Sequence, residues 1–466
     1  MSTSDPSVMR RLTVLIVRCV TWPIRRWRIV ALLLVALVIA VTITYAIVDQ
    51  TLLRQLEARR EQIRASDGAK EFLQLLHEQP DIAENAAVPY RHAEAMLRRI
   101  RWDDREAIKR TWEKLSKLSP CSCEEGLGAG QAGAVLTEGQ WNELGRHVDV
   151  SRPALEMVKE GAALQMCRFY GYFEPSDLNG HPKYSDMSLM EDLARAVAYR
   201  AVWENHNGDV DSALQWVTIG LHLSNDLAFE PGVGSGARRV KCAGHALWAL
   251  QAVLCEHDAA SGHLDQLTGE LARATDRKLL VMTIQGSTYS WAYRESFSDW
   301  KEQKGGRGQL RPFWTSVQIK EIDVFTWFAD AASKDDFEQR NSAYKKLEEN
   351  VSRFSKRYLF TTILPTVEMQ ETVQKLEAGI AHAHLAEIAI ALRLYKKDKG
   401  SYPDELLVLV PNYIKELPQD TFSGKSYPYK RVDPGFKMYS LGQDKTDDGG
   451  VSGDGRRGDI VWCAKN

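Results

Sequence analysis

Tyr439-Ser440-Leu441-Gly442-Gln443-Asp444-Lys445-Thr446-Asp447-Asp448-Gly449-Gly450 opens a loop that Asp459-Ile460-Val461-Trp462 closes, and the reading of this stretch decides the fold of the C-terminal part of the chain. The loop sets Asp444, Asp447, Asp448, Asp454 and Asp459 among six glycines. Hard cations such as calcium take several oxygen ligands, and glycine lets a backbone turn tightly enough to aim carboxylates and carbonyls inward. A solvated acidic loop has the same composition. The β-branched and aromatic run Ile460-Val461-Trp462 predicts a last short strand, so the loop is closed at both ends and is not a frayed terminus. Five carboxylates in a closed loop repel one another; a bound cation would remove that repulsion and fix the strand.

Upstream, an amphipathic helix ending in Leu392-Arg393-Leu394-Tyr395-Lys396-Lys397-Asp398-Lys399-Gly400 leads to Tyr402-Pro403, Leu406, Leu409 and Tyr413-Ile414. Leu417-Pro418-Gln419-Asp420, Gly424-Lys425 and Tyr427-Pro428-Tyr429 come next. In order and spacing, Ala386 to Trp462 resembles the C-terminal part of the major pseudopilin of type II secretion systems. That family has a helix ending in Tyr-x-x-Asp-x-Gly-x-Tyr-Pro, a Leu-Pro-x-Asp-x-x-Gly-x-Pro-Tyr turn, a Tyr-Ser-Leu-Gly strand and an acidic calcium-binding loop. The resemblance implies an α+β domain with a small antiparallel sheet over residues 366–466. It also implies a structural calcium ion (Ca2+) held by the Leu441 carbonyl and the carboxylates of Asp444, Asp454 and Asp459. Asp447 or Asp448 substitutes, because the Asp447-Asp448-Gly449-Gly450 run departs from the family by one residue. The family's Gly-Phe-Thr-Leu-x-Glu prepilin signal is absent, so the expectation is a borrowed fold and not a pilus subunit.

At the other end, Ile29 to Val48 carries no charge over 20 residues, enough to cross a hydrocarbon core of about 30 Å at about 1.5 Å per residue. Arg10, Arg11, Arg18, Arg25, Arg26 and Arg28 precede it, opposed only by Asp5, with Trp22 and Trp27 at the level of an interfacial belt. The flank after it mixes Asp49, Arg54, Glu57, Arg59, Arg60 and Glu61. Positive-inside asymmetry predicts a cytoplasmic basic segment over residues 1–28, a single-pass transmembrane helix over 29–48 and a periplasmic remainder of a bacterial inner-membrane protein. A cleaved signal peptide is the alternative; the long basic region and the missing Ala-x-Ala site disfavour it.

Leu52, Leu56 and Ile63 recur among charges and predict a stalk helix over residues 49–68. Residues 69–365 read as an extracytoplasmic α-helical domain. Leu193, Val197 and Ala201, then Leu214, Val217 and Leu221, then Ala246, Ala249 and Val253, then Leu264, Leu267 and Leu271 recur at helical spacing between breaks such as Asn207-Gly208-Asp209. The pattern predicts an irregular α-hairpin array, resembling tetratricopeptide repeats but without their strict period. The run Glu84-Asn85-Ala86-Ala87-Val88-Pro89-Tyr90, together with the helical region after it and the pseudopilin-like end, also resembles membrane-anchored proteins of environmental bacteria. The fold class expected is therefore mainly α, with a transmembrane helix, the hairpin array and a C-terminal α+β pseudopilin-like domain.

Composition excludes some functions and leaves others open. With 60 basic and 62 acidic residues and no basic tract beyond the membrane flank, nothing indicates nucleic acid. Outside the membrane, Cys121, Cys123, Cys167, Cys242, Cys255 and Cys463 lie where disulfides can form, whereas Cys19 is cytoplasmic. Cys242 and Cys255 share a predicted helix at a separation of about 20 Å and cannot pair. Cys121-Ser122-Cys123 reads as a redox pair, half a metal site or ordinary loop cysteines. Gly232-Val233-Gly234-Ser235-Gly236 reads as a helix-hairpin turn in preference to a nucleophile elbow, since Val233 stands where the elbow needs glycine. His384 and Glu387 share a helix face, with a surface pair as the expectation; His382 points elsewhere. The function expected is non-enzymatic: an envelope protein mediating protein–protein interaction or assembly, linked to type II secretion-like machinery through the pseudopilin resemblance. Its expected partners are the lipid bilayer and cell-envelope proteins, secretion components among them. The alternatives are a general helical adaptor with a calcium-stabilised C-terminal cap, and an envelope hydrolase.

Overall fold

The computed structural model describes residues 27–77, 80–100, 137–169, 184–230, 232–257, 263–293, 311–334, 336–357, 363–432, 435–452 and 458–464, with residues 10, 11 and 13 near the N-terminus. Among these residues the protein is mainly helical, with one small antiparallel sheet and one helix near the N-terminus long and apolar enough to cross a membrane. It divides into two units, Met1–Gln62 with Phe297–Lys320, and Ile63–Ser296 with Glu321–Asn466.

Helix α1 (Trp27–Arg64) forms most of the described part of the first unit. No glycine or proline interrupts it, so the apolar run and the charged stalk are one continuous helix ending at Arg64, short of the expected limit. Leu32, Leu33, Val38, Val41 and Ile47 are all at least 60% exposed, an apolar surface suited to lipid and not to water.

The second unit begins with α2 (Asp67–His77), α3 (Ala87–Arg98), α4 (Glu138–Ala162), α5 (Tyr184–His206) and α6 (Val210–Asp226). It continues with α7 (Val233–Glu256), α8 (Leu264–Thr275) and α9 (Arg277–Tyr293). Helix α10 (Arg311–Ala332) starts in the first unit and ends in the second, followed by α11 (Phe337–Arg357) and α12 (Ile363–Lys399). Local chemistry sets several starts. Thr137 and Gln140 make a reciprocal capping box on α4, and Asp209 accepts from the Ser212 amide to open α6. Gly208 takes φ +82° to end the preceding helix, a conformation that glycine adopts without Cβ strain.

Helices α5, α6 and α7 pack on one another, α3 packs on α4, and α8 packs on α6 and α12. The residues at helical spacing in the sequence meet here: Leu193, Val197, Ala201, Leu214, Val217, Leu221, Ala246, Ala249, Val253, Leu267 and Leu271 are buried in a single core, with Leu264 packed against it. That core does not stop at Pro365. It continues through Ala383, Leu385, Ile388 and Leu392 of α12 into Phe436, Met438 and Trp462 of the sheet, so the helical region and the C-terminal segment share one interior. A second core joins Leu280 and Ile284 of α9, Phe328 and Ala332 of α10, Leu347 of α11 and Val373, Leu376 and Ile380 of α12.

Strands β1 (Tyr429–Val432), β2 (Gly435–Ser440) and β3 (Ile460–Ala464) pair antiparallel in the order β1-β2-β3. The register sets Phe436 opposite Ala464 and Met438 opposite Trp462. With a side-chain period of two, Phe436, Met438, Ser440, Trp462 and Ala464 share the buried face, while Lys437 and Tyr439 take the other.

Candidate functional site

The acidic loop begins and ends on adjacent strands, and its chain crosses itself at a narrow neck. Gly442, at φ +66°, lies so close to the Gly458 carbonyl that a Cβ would sit 2.5 Å from its oxygen. Asp444 braces the neck, accepting from the Gly458 amide at 3.1 Å and the Thr446 amide at 3.2 Å. The loop then folds back over the outer face of β2. Lys437 Nζ donates to the Gly449 carbonyl at 3.0 Å, and the Tyr439 hydroxyl donates to Asp447 Oδ1 at 3.0 Å. Gly450, at φ +75°, passes so near Lys437 and Tyr439 that no side chain fits there.

Asp459 is the inward member of the set. It is 4% exposed; its Oδ2 accepts from the Gly450 amide at 2.6 Å, and its Oδ1 is buried with no hydrogen-bond partner among the described residues. Burial raises its pKa, the charges of Asp447 and Asp448 raise it further, and the amides of Gly450 and Asp448 pull it back. The loop therefore brings Asp447, Asp448 and Asp459 within electrostatic reach, whereas Asp444 is engaged at the neck. Leu441, at the start of the loop, has its amide 3.4 Å from Asp420 Oδ2. Asp454 lies outside the described residues, and among those described no three His, Cys, Asp or Glu side chains are grouped as a metal set. The donors fit a hard cation in one specific respect: Asp459 Oδ1 is an orphaned buried carboxylate oxygen, which a cation would answer.

Sequence reading gave no role to Asp420. Fully buried, it accepts from Ser440 Oγ at 2.6 Å, Ser423 Oγ at 2.8 Å, the Phe422 amide at 3.2 Å and the Leu441 amide, pinning the preceding turn to the start of the loop. Its signal was present in the Leu417-Pro418-Gln419-Asp420 turn, where a short acceptor side chain can cap backbone amides.

His384 and Glu387 are not the surface pair expected. Helix α12 lies against the sheet, so His384 Nδ1 is 3.0 Å from the Tyr427 hydroxyl and His382 meets Trp462 edge-on at 5.6 Å. Burial lowers both histidines to about 4 and raises Glu387 to about 7. Ser235 is buried at the start of α7, where its hydroxyl donates to the Glu230 and Gly232 carbonyls, as a helix turn requires and a nucleophile does not. Cys255 is disulfide-bonded, Cys167 and Cys242 are buried free thiols, and Cys463 is buried against Cys255. Cys19, Cys121 and Cys123 lie outside the described residues.

One polar cluster had no sequence signal beyond a His and an Asp four apart in an apolar helix. Among the packed helices, the Tyr90 hydroxyl donates to Asp226 Oδ2 at 2.7 Å, and His222 Nδ1 lies 2.8 Å from Glu270 Oε1. Asn225 Nδ2 donates to Glu270 Oε2 at 2.7 Å, and Arg239 donates to the Arg273 carbonyl at 2.8 Å. Burial raises Asp226 to about 6. Burial alone would lower His222, but its bond to Glu270 and the field of Asp226 raise it. These groups tie α3, α6, α7 and α8 together through hydrogen bonds that require one packing arrangement.

A pocket of about 130 Å3 lies among α10, α11, α12 and the acidic loop. Its charged groups are already engaged. Glu377 is bidentate with Arg277, Gln370 donates to Glu348 at 3.0 Å, and Lys445 of the loop donates to Asn341 at 2.7 Å. Thr421 and Tyr344 also line it, and the Thr421 hydroxyl donates to the Glu377 carbonyl at 3.1 Å. Compared with known proteins, the chain matches no family model, no curated relative and no solved structure.

Proposed function

We propose that this protein is a single-pass, membrane-anchored envelope protein whose extracytoplasmic part is an interaction and assembly scaffold. The observation that carries the reading is the joining of a helical array to a helix-and-meander segment through one core, on a chain that also bears an exposed apolar helix of membrane-spanning length. The basic flank before that helix supports a cytoplasmic N-terminus, and the disulfide at Cys255 suits a periplasmic location. The long helix α12, the three-stranded meander and the acidic loop folded on β2 support the pseudopilin-like reading of residues 366–466, with calcium as the structural cofactor of that loop. When bound, the ion would neutralise Asp459 and the facing Asp447 and Asp448. A link to secretion machinery rests on this likeness.

The shared core favours a second reading for the same segment. With Trp462 and Phe436 buried in the array's own interior, the C-terminal segment caps the array, as in a general helical adaptor. Copurification from mildly solubilised membranes separates the two. Recovery of a pseudopilin or secretion component with the full chain is the expected result for the first reading, and its absence leaves the adaptor.

A further inference from the structure

The apolar run of α1 ends at Val48, and the next residue, Asp49, is only 2% exposed. Its partner comes from 262 positions along the chain: Arg311 Nε donates to Asp49 Oδ1 at 2.9 Å, and Arg311 Nη2 donates to Oδ2. This bidentate pair fixes the first turn of α10 at the level where the apolar run stops. Phe313 comes next, 39% exposed, with Trp314 edge-on to it at 5.4 Å, while Thr315, Val317, Gln318 and Ile319 are buried. Tyr45, one turn before Asp49, is also 39% exposed. At the opposite end of the same run stands Trp27, 59% exposed. At about 1.5 Å per residue, Trp27 lies about 27 Å from Tyr45 and about 33 Å from Asp49 along the helix. These separations bracket the hydrocarbon thickness of about 30 Å.

The geometry points to Arg311–Trp314 as a second membrane-contacting element, an interfacial anchor that seats on the outer leaflet of the bilayer that α1 crosses. It rests on the reading of α1 as a membrane span. Tyr45, Phe313 and Trp314 form one aromatic belt and Trp27 belongs to the other, with one belt assembled from two distant parts of the chain. The Asp49 charge at the bilayer surface is neutralised by Arg311, whose half-exposed guanidinium suits the phosphate and glycerol level. The occupant is lipid and not a protein partner because the aromatic turn is held at the depth where the lipid-facing surface of α1 ends.

Photocrosslinking in intact membranes tests this with the full chain carrying benzoylphenylalanine at Phe313 or, separately, at Leu37 in the middle of the apolar run. Leu37 is 58% exposed and Phe313 is 39% exposed, and benzoylphenylalanine keeps the phenyl ring that meets Trp314. Mass spectrometry is expected to find phospholipid adducts at both. An adduct at Leu37 with none at Phe313 overturns the anchor while leaving the span intact. Absence of lipid at both sites overturns the span and the anchor together.

Discussion

Asp459 is a buried carboxylate with one oxygen that finds no hydrogen-bond partner among the described residues and two more carboxylates close by. If calcium binds there, saturation at about a hundred times Kd adds about 2.7 kcal/mol to folding stability. The melting temperature of the full chain is then expected to rise with free calcium and fall with chelator. Asp459→Asn keeps an acceptor for the Gly450 amide and removes the charge. It is expected to melt above the parent in chelator and to lose the calcium shift, and a parent indifferent to calcium would identify the loop as a solvated turn. Titration under the sheet gives a separate prediction. The half-buried imidazoles of His382 and His384 protonate only near 4, whereas unfolded histidine protonates near about 6.5, so acidification through that window favours the unfolded chain. Glu387 acts in the opposite direction. Its folded pKa of about 7 exceeds the ordinary 4.5, so it contributes stability that is complete at low pH and lost as pH rises through 7. In urea titrations across this range, Glu387→Gln is expected to be more stable than the parent at about pH 8 and to lose stability more steeply on acidification.

Helix α12 is the element on which both cores depend. Val373, Leu376, Ile380, Ala383, Ile390 and Leu394 follow helical spacing and make one apolar stripe in the sequence of this helix. The structure divides that stripe: Val373, Leu376 and Ile380 pack with α9, α10 and α11, and Ala383 and Ile390 pack with the array and sheet. Periodicity identifies the face of a helix that is buried but not the number of partners that bury it. The last member, Leu394, is only half-buried, whereas Leu392 has no exposed surface. Leu392→Ala is expected to cost about 2–5 kcal/mol in chemical unfolding. Leu394→Ala should cost clearly less, and equal costs would place the end of α12 in a different environment.

For the whole molecule, one helix decides the solvent. Removal of residues 1–48 is expected to yield a protein that remains in the aqueous phase, while the intact chain resists extraction by high salt and alkali. Release of the intact chain by alkali would rule out a spanning helix. Because the sheet and the array share an interior, an isolated C-terminal segment would expose Phe436 and Trp462, so stability is a property of the whole second unit.

The sequence alone determined the elements whose signals are local. Uncharged length gave the candidate membrane helix, helical spacing gave the buried faces of α5 to α8, and a β-branched run with turn residues gave the last strand. It also brought Asp447, Asp448 and Asp459 into one loop, since chain proximity alone does that. Only the tertiary structure decided matters of distance between remote residues: the continuity of the core past Pro365, the packing of His384 against Tyr427, the Tyr90–Asp226–His222–Glu270 network and the pairing of Asp49 with Arg311. The physical reason is that burial is a sum over partners. A helix records in its own residues that one face is apolar, but which surface covers that face depends on the packing of every element together.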